Sequence, residues 1–154
     1  MFGTIWTQLG IVALVGSFAF ALWKGDSAER MGGSLNLAAG LFAMFLHPLL
    51  SPDIQPVVQL VVDAGLAAGF LFLAIRFASL WLGLAMLLQA VQFSLHAYYM
   101  VQEAKHDWTF FRINNFDSWG IILCIVGGTV LSWRQRLRKQ REAAAKAAEA
   151  GAKA

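Results

Sequence analysis

A chain of 154 residues that is 58% hydrophobic and only 14% charged, with a mean hydropathy of +0.60, is too apolar for a water-soluble domain. Such domains carry roughly 25% charged residues, and one core of this size could not hide so much apolar surface. The net charge of +3 and pI of 9.4 would suit a nucleic-acid binder, but no stacking aromatics or recognition fold accompany the basic residues, and no nucleic-acid partner is expected.

Five apolar segments follow in chain order, at about residues 4–23, 28–47, 56–75, 79–100 and 113–133. A 20-residue helix rises about 30 Å, the thickness of a bilayer's hydrocarbon core. No strand alternation is visible, so the expected fold is all-α, a polytopic transmembrane bundle of five spans over residues 1–133. The first segment ends at Lys24-Gly25-Asp26-Ser27, where Asp26 or Ser27 can cap the next helix. Ala19-Phe20-Ala21 resembles a signal cleavage site, but no positive region precedes the apolar run and Lys24 follows it, so an uncleaved helix is expected. The second segment is the weakest, diluted by Arg30, Gly32-Gly33 and Asn36, and it stops at His47-Pro48.

Pro56 suits the first turn of the third segment. Arg76-Phe77-Ala78-Ser79 leaves only a tight hairpin before the fourth, which makes these two segments antiparallel neighbours. The loop QEAKHDWTFFRI reads as an interfacial half-helix or a partner-docking element, and Asn114, Asn115 and Asp117 as caps and dipole partners of the fifth segment. Residues 134–154 form a basic, alanine-rich tail that extends or frays from that helix.

Orientation follows from the basic residues. With five spans, Lys24, Arg30, Arg76 and seven tail residues fall on one side, and only Lys105 and Arg112 on the other. Ten against two predicts an outside N-terminus and a cytoplasmic C-terminus. The cluster Arg134, Arg136, Arg138, Lys139 and Arg141 reads as a topology anchor on anionic lipid. The tryptophans agree as interfacial belts, Trp6, Trp108 and Trp119 at the outer face and Trp23, Trp81 and Trp133 at the inner.

Polar groups inside such spans are expensive, so those present carry the functional argument. Asp63 lies about 12 Å inside the third segment, with Gln59 one turn above it. Gln89, Gln92 and His96 share a face of the fourth segment at i, i+3 and i+7. The two stripes are expected to meet as a cluster of Asp63, His96, Gln92, Gln59 and Gln89, serving as interhelical glue, as a proton or ion path, or as a ligand contact. Gly65 and Gly69, and Ala13, Ser17 and Ala21, form small-residue seams for close packing. The three histidines, His47, His96 and His106, are not matched for bis-His haem, and metal-ligand spacing is absent. No cofactor or metal is expected, and Cys124 reads as a small buried hydrophobe.

The segment Lys24 to Arg30, the V-V-D ending at Asp63, the close Arg76, and the face of Gln89 and His96 together resemble a group of small uncharacterised proteobacterial inner-membrane proteins. Leu80-Trp81-Leu82 stands where those proteins often carry Trp-Pro. The resemblance implies a multi-pass protein of the cell inner membrane and implies no activity, substrate or cofactor. With minimal loops and no obvious polar cavity, the leading expectation is a non-enzymatic scaffold or accessory subunit, with the bilayer and a membrane-protein partner or a second copy as its contacts. The alternative is a small proton-coupled transporter or channel using Asp63 and His96.

Overall fold

Short polar breaks between long apolar runs leave the chain little choice but an up-and-down arrangement of helices. The computed structural model describes residues 2–46, 49–102 and 107–152. They form five helices and no strand: α1 (Phe2–Lys24), α2 (Ser27–Leu46), α3 (Gln55–Phe77), α4 (Leu80–Val101) and α5 (Trp108–Ala152). Of these, α3, α4 and α5 are long and apolar enough to cross a membrane. The expectations about Trp6, His47, Pro48, Lys105, His106 and Lys153 fall outside the described residues or side chains.

Successive helices pack antiparallel in a ring. Gly33 of α2 lies against Ala21 and Phe18 of α1, Gly69 of α3 against Leu35 of α2, and Gly120 and Gly128 of α5 against Leu88 and Trp81 of α4. α5 also packs on α1 and closes the ring. One end of the bundle therefore holds Asp53 and the start of α5, and the other holds the turns after Lys24 and Phe77. These are called the Asp53 end and the Lys24 end below.

The turns have local causes. At the Lys24 end, the Asp26 N–H donates to Glu29 Oε2 at 2.8 Å, a capping box in which the acid three residues into α2 reaches back to the cap. Gly25 is required there, since a Cβ would lie 2.5 Å from the Ala21 carbonyl oxygen. The α3–α4 hairpin closes without glycine or proline because Ala78 adopts the left-handed conformation, with φ 46°, at a cost of about 1 kcal/mol.

α5 starts earlier than its apolar run suggests. Asp107 caps it, accepting the Phe110 N–H at 2.9 Å and the Tyr99 hydroxyl at 2.6 Å. The Tyr99 hydroxyl, and then the Phe110 N–H, hold the Asp107 carboxyl below its usual range. Trp108 to Arg112 are thus the first turns of α5 and no separate half-helix. Asn114, Asn115 and Asp117 sit inside the helix and do not cap it. The helix runs unbroken for 45 residues in all, its latter part formed by the basic tail.

The distribution of polarity is inverted relative to a soluble bundle. Val12, Phe72, Ile75, Leu80 and Leu123 are exposed, whereas Asp63, Gln89, Asp117 and Thr129 are buried to 2% or less. Between them, Phe70, Leu73, Leu82, Ala85 and Ile125 form a dry core nearer the Lys24 end.

Candidate functional site

Asp63 is the hub of the Asp53 half. Its side chain leaves the middle of α3 toward α4, where Gln89 and His96 stand two turns apart on the facing side. His96 Nδ1 meets Asp63 Oδ2. Gln89 Nε2 donates to Oδ1 at 3.1 Å, and Gln59 Nε2, one turn along α3, donates to the same oxygen at 3.3 Å. Oδ1 is the acceptor for both amides.

Gln92 departs from the expected cluster. Its Nε2 donates to Asn114 Oδ1 of α5 at 3.2 Å. The cause is helical geometry: three residues turn the chain about 300°, so Gln92 points roughly 60° away from Gln89, whereas His96, seven residues on, returns to within about 20°. The i, i+3, i+7 stripe thus divides between two neighbours. His96 also leans on Phe110, with ring centroids 5.3 Å apart, and Phe110 in turn on Tyr99 at 5.0 Å, which ties the hub to the capped start of α5.

A cavity of about 560 Å³ opens beside this hub. All five helices contribute to its wall, including Gly10, Asn36, Gln59, Asp63, Gln89, Gln92, Asn115, Ser118 and Trp119. The sequence reading did not anticipate it, because Asn36, Asn115 and Ser118 are single polar residues on different helices whose convergence depends on the tertiary ring. Trp119, expected in an interfacial belt, is exposed and also forms part of this wall. Gln89 is fully buried, and its Oε1 has no hydrogen-bond partner among the described residues. Asp117 Oδ2 on α5 is buried and unpartnered in the same sense.

The Lys24 end holds a second buried acid that the sequence reading passed over. Glu29 is 4% exposed and accepts the Trp81 Nε1–H at 3.2 Å as well as the Asp26 N–H. Trp81 was expected in a lipid-facing belt; its ring instead lies between α2 and α5, over Gly32 and Gly128. The D-x-x-E spacing of Asp26 and Glu29 was the available signal for the cap. A recess of about 340 Å³ adjoins it, lined by Asp26, Ser27, Glu29, Phe77, Ser79 and Ser132.

The basic cluster is only partly free. Arg136 pairs with Asp26 at 3.1 Å and with the Lys24 carbonyl, which clasps α5 to the first turn, and Arg138 pairs with Glu142 at 3.0 Å along its own helix. Arg134, Lys139 and Arg141 are exposed. Of the small-residue seams, Gly69, Ser17 and Ala21 lie in interfaces, whereas Gly65 is exposed with open space around it. No group of three or more potential metal ligands occurs among the described residues.

Fold and site define an all-helical bundle with three apolar helices of membrane length and a cavity whose wall includes a buried aspartate paired with an imidazole. In comparisons with known proteins, no family model, no curated protein and no solved structure matches the chain.

Proposed function

We propose that this is a multi-pass protein of a bacterial inner membrane that carries a small polar solute in exchange with protons, with Asp63 and His96 as the groups that hold and release the proton. The observation that carries this reading is the position of Asp63: a buried carboxylate in the wall of a cavity to which five helices contribute, in contact with the His96 imidazole behind it. Polar side chains used only as glue need no cavity beside them, and here the glue and the cavity share Asp63, Gln59, Gln89 and Gln92. The expectation of a scaffold or accessory subunit rested on small size, minimal loops and the lack of a nucleotide or metal motif as well as of a cavity-forming polar set, and the cavity removes the last of these grounds. A carrier fits better than an open channel. The cavity and the recess near Glu29 are separated by Phe70, Leu73, Leu82, Ala85 and Ile125, each 4% exposed or less, so passage requires the helices to move.

The reading includes five crossings, an outside N-terminus and a cytoplasmic tail, supported by the antiparallel ring and by ten of twelve basic residues on one side. The cavity then faces the exterior, and the Arg136 clasp and exposed Arg134, Lys139 and Arg141 lie at the cytoplasmic surface. Cysteines replacing Ser27 and Asp53 test this in intact cells: an impermeant thiol reagent is expected to label position 53 and not 27, and the reverse pattern would invert the map.

Function is tested by the decay of an imposed pH gradient in proteoliposomes that contain a pH-sensitive dye. With a mixture of small polar solutes supplied on the low-proton side as exchange partners, wild type is expected to discharge the gradient faster than protein-free vesicles given the same solutes. Asp63→Asn keeps the side chain's size and membrane insertion but cannot cycle a carboxyl proton, and it is expected to lower that rate by about 100-fold, the lower range of positioned acid–base groups. Wild-type vesicles that match protein-free ones would remove the reading.

A further inference from the structure

One polar atom of the cavity wall stands apart. Gln59 and Gln89 each donate one N–H to Asp63 Oδ1, and Gln92 donates one to Asn114. Ser118 donates to the Asn114 carbonyl at 2.8 Å. Gln89 Oε1, on a fully buried side chain of that wall, is an acceptor without a donor among the described residues. An unpaired buried acceptor is costly, and a bound donor removes that cost. Among the described residues that line the cavity Asp63 is the one ionisable group, an acid.

We infer that the cavity binds a small organic cation carrying ammonium N–H groups, a primary or secondary alkylamine in its protonated form, with Gln89 Oε1 as its principal acceptor. This deepens the proposed carrier function and rests on it for the role of the site. A bare metal ion is a poor fit. A cavity of about 560 Å³ is of the size that holds organic ligands, and much of its wall is apolar, with Leu14, Val62, Leu66, Ile121 and Ile122. That surface suits the hydrocarbon body of an amine, and the Trp119 ring suits its charge. A neutral alcohol donates a single O–H and brings no charge to the Trp119 ring.

Calorimetric titration of the full-length protein in mild detergent tests the assignment, with four probes of similar size: n-butylammonium, tetramethylammonium, butyrate and n-butanol. Saturable binding is expected for n-butylammonium, with tetramethylammonium, which has no N–H to donate, at least about tenfold weaker. Butyrate and butanol should show no saturable heat. Gln89→Leu should weaken n-butylammonium by at least about tenfold. Gly10→Leu provides a second variant that leaves the Asp63 hydrogen bonds untouched: a Cβ at Gly10 meets open space, and the side chain is expected to fill the cavity and abolish binding. Equal binding of the two cations, no binding of n-butylammonium by wild type, or unchanged binding in both variants would overturn the assignment. No gradient is involved, so failure here leaves the proton-flux result standing, and failure of flux leaves the binding result standing.

Discussion

Asp63→Ala is expected to destabilise the bundle by about 2–3 kcal/mol, more than His96→Ala, Gln59→Ala or Gln89→Ala alone. Three partners from two helices, the amides of Gln59 and Gln89 and the His96 imidazole, converge on this one carboxyl group. Its removal strands all of them, whereas loss of any one donor leaves the carboxylate two partners. Interhelical hydrogen bonds in a bilayer average about 0.6 kcal/mol and reach about 1.7, because the unfolded helices also find partners. Two such bonds, from Gln89 and His96, sum to about 1.2 kcal/mol, and the bond from Gln59 within α3 and the desolvation of a buried, unpaired Gln89 raise the total. His96→Ala should stay within about 1.7 kcal/mol. The measurement is unfolding by denaturing detergent from mild micelles, followed by helical signal. A double-mutant cycle of Asp63→Ala with His96→Ala should show coupling, since the second change removes a group the first has already stranded. Equal losses for hub and donors, or strict additivity, would mean that the carboxylate is not the centre of the network.

This asymmetry was half legible in the sequence. An acid inside an apolar run cannot face lipid alone, and Gln89 and His96, seven residues apart, return to one helix face. The tight hairpin at Arg76 to Ser79 then leaves little room for any other meeting. Gln92 was misassigned because a shared face does not fix a shared neighbour: about 60° of rotation is enough to turn it from α3 to α5. The start of α5 was placed at Ile113, where the apolar run begins, although Asp107 caps the helix from Trp108. That shift turned Asp117 from a buried core acid into an apparent helix-end acid. Asn36, Asn115 and Ser118 were invisible as a set because their convergence is a property of the ring and of no one helix. Glu29 was missed for a related reason: its local capping role is readable, but its partner Trp81 lies 52 residues away.

That second buried acid leads to the largest packing effect expected, and two adjacent glycines separate it from helix propensity. A Cβ at Gly128 would lie 2.6 Å from the Trp81 ring, and one at Gly32, on the other side, 2.8 Å. The indole is therefore wedged between α2 and α5, and it cannot move away from one without meeting the other. A shift of the ring also withdraws its N–H from Glu29, whose carboxylate has only 4% exposure and also serves the Asp26 cap. Overpacking a tight interface costs about 1–3 kcal/mol, and loss of the hydrogen bond adds about 1. Gly128→Ala is thus expected to destabilise by about 2–4 kcal/mol. Gly127→Ala supplies the contrast: its Cβ meets nothing within 4 Å, and the change should be neutral or stabilising by up to about 1 kcal/mol, the ordinary gain in helix propensity. Trp81→Phe makes room for the new methyl but leaves Glu29 short of a donor. Combined with Gly128→Ala it should therefore cost less than the sum of the two single changes, since the clash and the lost hydrogen bond have the same origin. Thermal unfolding in detergent, read through helical signal, distinguishes these cases: similar shifts for the two glycine variants would show that the indole is not wedged.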